Sequence, residues 1–274
     1  MNKSIKRAFL DTEEGQIHYR IGGEGEPLLL LHMNPRSSDE YRELMPLFAQ
    51  KYCVMAMDLM GFGDSDKPPR MYSVADYAKT IIALFDELGL EKTNILGNHT
   101  GAFVSGEVAA AYPERVNKLI LANIDYFDEG NKTTIYNLFD EAFQIKEDGS
   151  HLIKRWNFFS SYIDSIELRQ RCLSDELKCH GYPPYGLSAV MNYMERLVER
   201  FSLISCPTLI LSGTEDIQEL EQLGFATAEN RQFITKVIPH AQEVDIEGGT
   251  RGMMNQMPEE ISNVVVDFLT QTSN

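Results

Sequence analysis

The residues best placed to do chemistry are Gly97-Asn98-His99-Thr100-Gly101. An apolar run, Thr93–Leu96, leads into them and an alanine-rich segment, Ala102–Tyr112, leaves them. The five therefore read as a tight turn between a strand and a helix. A glycine on each side permits a sharp bend that pushes the central side chain outward. That side chain is an imidazole. Histidine tolerates the φ > 0 backbone of such a turn better than most residues, and its neutral form serves near neutral pH as a base or a nucleophile. No other residue type is spaced for chemistry of its own. The six histidines form no H-E-x-x-H cluster, and Cys53, Cys172, Cys179 and Cys206 form no C-x-x-C pair. No metal or other cofactor is expected, and the cysteines read as free thiols of a reduced, cytoplasmic compartment.

The elements that must hold this turn alternate. Ser4–Asp11 and Gly15–Ile21 read as an antiparallel entry to a sheet. Pro27–Leu31 and Tyr52–Met57 are continuous apolar runs, as expected of strands buried on both faces. Between them, Ser37 or Ser38 caps a helix running to about Gln50, with Asp39 and Glu40 in its first turn. Ser73–Leu88 reads as an amphipathic helix with Tyr77, Ile81, Leu84, Phe85 and Leu88 on one face and Gly89 as its stop. After the turn and its helix, Val116–Asn123 is the next strand. From Ile124 to Leu203 the strand rhythm gives way to four helical stretches, Thr133–Lys146, Ser150–Ile163, Ile166–Cys179 and Leu187–Arg200. Strands resume at Pro207–Ser212 and Gln242–Ile246, and a helix from Pro258 to about Leu269 closes the chain. This is an α/β pattern: a mainly parallel sheet wrapped by helices, with a helical lid (124–203) inserted in a core made of 1–123 and 204–274.

At 274 residues and 43% hydrophobic content the chain can bury a sizeable core. A net charge of −16 argues against a nucleic-acid partner. No stretch reaches the ~20 apolar residues of a membrane span, and the basic start Met1–Arg7 has no apolar segment behind it, so neither a membrane nor a secretory role is expected.

Five segments together resemble the α/β-hydrolase superfamily. Leu29-Leu30-Leu31-His32 with Pro35 resembles its oxyanion loop, and Asp58–Asp66 its D-x-x-G-x-G-x-S-D loop. Gly97–Gly101 matches the nucleophile elbow, Leu209–Asp216 the strand that delivers the catalytic acid, and Gly248-Gly249-Thr250 the loop of the base. The resemblance implies an eight-stranded sheet and catalytic residues at three positions, in the order nucleophile, acid, base. Here they are His99, Asp216 and Thr250. The elbow serine is replaced by histidine and the base histidine by threonine, a pattern similar to a subgroup with H-T-G at the elbow. Met33 also replaces a glycine of the oxyanion loop.

The resemblance further implies that the backbone N–H groups of Asn34 and Thr100 form an oxyanion hole. Asp216 would orient His99, either directly or through the Thr250 hydroxyl. Arg36 and Arg251 would lie on loops at the rim, which suits a carboxylate-bearing substrate. His32 would tie its loop to the neighbouring one, Asp58 and Asp64 would fix loops, and some of Trp156, Phe158, Phe159, Tyr182 and Tyr185 would line an apolar pocket. The expected function is a cofactor-independent enzyme acting on a small organic molecule, with hydrolysis the broad class. Two alternatives stand beside it. One is proton abstraction by His99 leading to isomerisation, decarboxylation or C–C cleavage. The other is a non-catalytic ligand-binding protein. A homodimer is compatible with the sequence; the substrate is not legible in it.

Overall fold

The computed structural model describes residues 4–127, 129–179, 185–225 and 228–271. It opens with strands β1 (Lys6–Thr12) and β2 (Gly15–Gly22), paired antiparallel from Lys6↔Ile21 to Thr12↔Gly15. Then follow β3 (Glu26–Leu31), α1 (Leu44–Phe48), β4 (Tyr52–Met57), α2 (Val74–Glu87), β5 (Thr93–Asn98), α3 (Thr100–Ala111) and β6 (Val116–Ala122). The stretch after β6 holds α4 (Glu129–Phe143), α5 (Ser150–Ser160), α6 (Ile166–Glu176), α7 (Tyr185–Tyr193) and α8 (Leu197–Phe201). Strand β7 (Thr208–Gly213) returns to the sheet, followed by α9 (Thr214–Gln222), α10 (Ala228–Val237), β8 (Gln242–Ile246), α11 (Met253–Gln256) and α12 (Pro258–Thr270). The eight strands form one sheet in the order β1-β2-β4-β3-β5-β6-β7-β8. β2 meets β4 antiparallel, and the pairings from β4 to β8 are parallel.

The run Leu28-Leu29-Leu30-Leu31 shows why a central strand needs no polar alternation. Leu28 and Leu30 enter the core on one face with Phe48 and Phe268; Leu29 and Leu31 enter the other with Phe85 and Phe103. All four are fully buried, each contributing ~1.5–3 kcal/mol by leaving water. Helix α2 starts where its sequence signals it. The Ser73 hydroxyl accepts the Asp76 N–H at 3.1 Å and the Asp76 carboxylate accepts the Ser73 N–H at 3.1 Å, a reciprocal cap. Gly89, at φ +65°, follows its end.

The single helix expected from Ser37 to Gln50 is instead a 3-10 turn, Ser38–Tyr41, and the short α1. Pro46 explains the break. In a continuous helix it would leave the Arg42 carbonyl without its donor and clash with it, whereas in the first turn of α1 it is tolerated. Likewise Leu187–Arg200 is α7 and α8 separated by a 3-10 turn at Met194–Arg196. Among the described residues, no strand lies between β6 and β7.

Asp58 holds the loop after β4. Its carboxylate accepts the Ser38 N–H at 2.7 Å and the Asp64 N–H at 2.8 Å, and it sits 2.8 Å from the His18 imidazole. The His18 contact leads the effects that hold this buried carboxyl down at about 2 against the cost of burial. Asp64 contributes to that loop by its backbone; its side chain pairs with Lys178 at 2.7 Å.

Candidate active site

His99 stands between β5 and α3 at φ +45°, ψ −113°. A non-glycine residue held there stores ~1–3 kcal/mol of backbone strain, as residues at functional turns often do. Its flanking glycines supply room rather than unusual dihedrals. A Cβ on Gly101 would lie 2.0 Å from the Leu31 carbonyl oxygen, and one on Gly97 2.2 Å from that of Gly101. The turn can therefore press backbone to backbone against β3, where the Gly101 N–H donates to His32 O at 3.1 Å. The positive φ is left to His99 itself.

The imidazole Nε2 lies 3.3 Å from Asp216 Oδ2, close enough to pair but off the line of a hydrogen bond. Asp216 is buried in the first turn of α9, where its own N–H and that of Glu215 donate to the Gly249 carbonyl at 3.0 and 2.9 Å. Burial lowers the His99 pKa more than anything else; the Asp216 carboxylate raises it and the Arg251 guanidinium lowers it again. The ring is thus held neutral at physiological pH. With Nε2 facing a carboxylate, the favoured tautomer carries its proton there and keeps the Nδ1 lone pair free.

Thr250 does not bridge the pair. Its hydroxyl accepts the Gly252 N–H at 3.0 Å and commits its only proton to Gln256 Oε1 at 2.7 Å, so it has none to offer the Asp216 carboxylate. The Asn34 and Thr100 backbone N–H groups have no acceptor among the described residues. His32 links the loops after β3 and β4: Nδ1 donates to Met33 O at 2.8 Å and Nε2 accepts the Leu59 N–H at 3.0 Å. Burial keeps it neutral, which that tautomer requires.

The two arginines expected at the rim both already face carboxylates. Arg36 is buried, donating from Nε to Asp175 Oδ2 at 3.0 Å and from Nη1 to Asn255 Oδ1 at 3.4 Å. Arg251 donates from Nε to Glu219 at 2.9 Å and lies 3.9 Å from Asp216. Its guanidinium stacks over Phe158 at 5.1 Å and Tyr162 at 5.7 Å. Both side chains border a cavity of about 470 Å³ that also receives His99, Asn34 and Thr100. Its wall is mostly apolar, with Phe103, Phe159, Leu187, Met191, Leu220 and Phe225 among the contributors. Phe158 and Phe159 line it as expected of that segment, whereas Trp156 does not. Tyr182 and the side chain of Tyr185 lie outside the described residues.

Sequence reasoning missed Asp175, Glu176, Glu219 and Arg155. Arg155 donates to Glu176 at 2.9 and 2.6 Å and stacks over Phe158 at 4.5 Å. Charged residues on lone amphipathic helices carry no signal that they face inward, so nothing in the chain marked them.

A family model described as the alpha/beta hydrolase fold matches residues 26–250. The chain belongs to the α/β-hydrolase fold family. Among similar proteins of this family, cis-3-alkyl-4-alkyloxetan-2-one decarboxylase of Shewanella oneidensis is 24% identical, covering 98% of this chain and 89% of that protein. Epoxide hydrolase 4 of Mus musculus is 26% identical, covering 93% and 77%. The crystal structure of E-2-(acetamidomethylene)succinate hydrolase superposes with a TM-score of 0.79 over 98% of this chain and 100% of its own, at 19% identity, a likeness of fold. This α/β-hydrolase fold protein thus has hydrolases among its homologues and carries an imidazole at the turn between β5 and α3. Fluorophosphonates, which need an activated hydroxyl, are expected to leave its intact mass unchanged. A covalent adduct mapped to Ser105 or to Thr100 would overturn that expectation.

Proposed function

We propose that this protein hydrolyses small, uncharged, largely apolar carbonyl compounds, with His99 as general base and water as the direct nucleophile. The observation that carries this reading is the neutral imidazole at the elbow, 3.3 Å from a buried carboxylate and bordering an apolar cavity. In the proposed step, Nδ1 takes a proton from water as its oxygen bonds to the carbonyl carbon. The Asn34 and Thr100 amides stabilise the resulting oxyanion. The tetrahedral intermediate then collapses, its leaving oxygen taking the proton from the imidazolium. Asp216 stabilises that imidazolium, and the helices between β6 and β7 act as a lid over the site.

An uncharged substrate follows from the arginines. Arg36 already faces Asp175, and Arg251 faces Glu219, so a substrate carboxylate would meet charges that are already balanced and would lose its hydration in an apolar cavity. This replaces the carboxylate-bearing substrate suggested by residue type alone.

Steady-state and rapid-mixing kinetics on paired neutral and carboxylate-bearing nitrophenyl esters test the reading. The neutral ester is expected to turn over at least ~10-fold faster, since a buried unpaired charge costs well over 1.4 kcal/mol, and without a burst of nitrophenol. A stoichiometric burst would show a covalent acyl-enzyme and refute direct attack by water. A second reading is favoured by one observation, an imidazole rather than a hydroxyl as the central side chain of the elbow: proton abstraction beside a carbonyl. Deuterium uptake from D2O into a ketone, without ester turnover, would select it.

A further inference from the structure

The side chain of Glu40 is 1% exposed and lies in the 3-10 turn behind the site. Its two carboxyl oxygens are divided between two loops. Oε2 accepts the Met33 N–H at 2.7 Å, and Oε1 accepts from Asn98 Nδ2 at 2.5 Å. Met33 immediately precedes Asn34, and Asn98 immediately precedes His99-Thr100. One buried carboxyl group therefore ties together the two segments that carry the amides assigned to the oxyanion hole. The Glu40 backbone is fixed in turn, its carbonyl accepting from Asn255 Nδ2 at 2.7 Å. Burying a carboxyl is costly, and an apolar side chain of similar size would fill the same space without that cost.

We propose that Glu40 is a positioning residue, the strut that sets the spacing of the Asn34 and Thr100 amides and with it the fit of the oxyanion. The inference rests on the reading of those amides as an oxyanion hole. Its ionisation state matters to the geometry. Both bonded partners are donors, so the ionised carboxylate suits them, yet this leaves the buried Asn98 Oδ1 without a partner. Protonated Glu40 would offer an O–H, and Asn98 would satisfy it by turning its amide over to present Oδ1. The strut therefore has two arrangements, and the proton selects between them. Burial pushes this carboxyl up to about 7, with the Arg36 guanidinium and the hydrogen bonds from Met33 and Asn98 pulling down and Asp175 pushing up. Tyr41, beside it, is itself driven further from ionisation by burial and by Glu40, and stays neutral.

The sign of the linkage follows. A carboxyl raised in the folded state costs nothing while both states are protonated. It costs stability progressively as pH rises from about 4.5 in the unfolded chain to about 7 in the folded one. Glu40→Gln keeps the shape, removes the charge and permanently mimics the protonated arrangement. It is expected to melt at a higher temperature than wild type at about pH 8 and to match it at about pH 5, while kcat on a neutral ester at about pH 8 falls roughly 10–10²-fold with little change in KM. A variant more stable yet slower is not the outcome of lost packing.

The amides themselves can be read directly. In His99→Ala protein, where the catalytic imidazole is gone, the 15N–1H signals of Asn34 and Thr100 are expected to titrate together near neutral pH. Adding Glu40→Gln should make both flat. Signals that stay flat with Glu40 present, or that still titrate once Glu40→Gln has been added, overturn the proposal. So does a Glu40→Gln enzyme with wild-type kcat across the pH range. If the amides titrate as expected while no ester is turned over, the hydrolytic reading fails and the strut stands.

Discussion

Replacing His99 with alanine is expected to lower turnover of a neutral ester by ~10²–10⁴-fold, the usual worth of general-base catalysis. The loss should fall on kcat, because the ring borders a cavity whose apolar wall is untouched and which continues to bind substrate. Asp216→Asn should approach the same loss. An amide facing Nε2 can donate to it, favouring the tautomer in which Nδ1 carries the proton and has no lone pair to offer. His99→Ser should recover almost nothing, since the hydroxyl would need an imidazole and position 250 holds a threonine committed to Gln256. The wild-type profile should fall on the acid side as His99 gains its proton. Burial lowers that pKa from its ordinary 6.5, so this limb lies below 6.5, beneath the separate fall at about 7 that protonation of Glu40 is expected to cause and that Glu40→Gln should abolish. His99→Ala with undiminished kcat would be decisive against the mechanism, because the base would have to lie elsewhere.

Asp175→Ala is expected to lower the melting temperature by roughly 10 °C, from a loss of ~3–5 kcal/mol at ~2–4 °C per kcal/mol in a chain of this size. Asp175 ends α6 against the loop after β3, accepting from Arg36 Nε and from the Ser37 N–H at 3.0 Å each, and from the Ser37 hydroxyl. Arg36 is only 4% exposed, so removing its counter-charge leaves a cation with no water to take over. Other ion pairs join this part of the chain to the core, beside the apolar packing of Cys172 against Phe159 and Ile163. Arg171 reaches Glu43 at 2.6 Å and Asp39 at 2.8 Å, and Lys178, just beyond the helix, reaches Asp64 at 2.7 Å. Those pairs are more exposed and are worth less singly. Arg36→Met with Asp175→Leu should regain part of the stability, since an apolar pair replaces a buried ionic one at little net cost while the buried Ser37 N–H and hydroxyl still lose their acceptor. Differential scanning calorimetry on the single and double variants separates the terms. A single variant melting within about 2 °C of wild type would mean that Arg36 finds another partner.

The sheet and the turn at its centre are written in the order of residues along the chain. Central parallel strands bury both faces, so Leu28–Leu31 and Tyr52–Met57 must be continuous apolar runs, and that pattern is visible without any partner. The turn was legible because its constraint is local: only glycine fits where backbone approaches backbone, and both glycines lie within two residues of His99. The start of α2 was legible for the same reason, its cap closing within three residues. The electrostatics of the site, by contrast, exist only once the chain has folded. Glu40 has the signature of a solvated first-turn acid, yet its partner Asn98 lies 58 residues away; Arg36 has that of a surface cation, yet Asp175 lies 139 residues away. A charged residue type reports neither its burial nor its counter-charge, because both are set by segments the fold brings together from far along the chain. The same holds for Thr250, whose hydroxyl was free to join His99 on paper and is claimed by Gln256 in the folded loop.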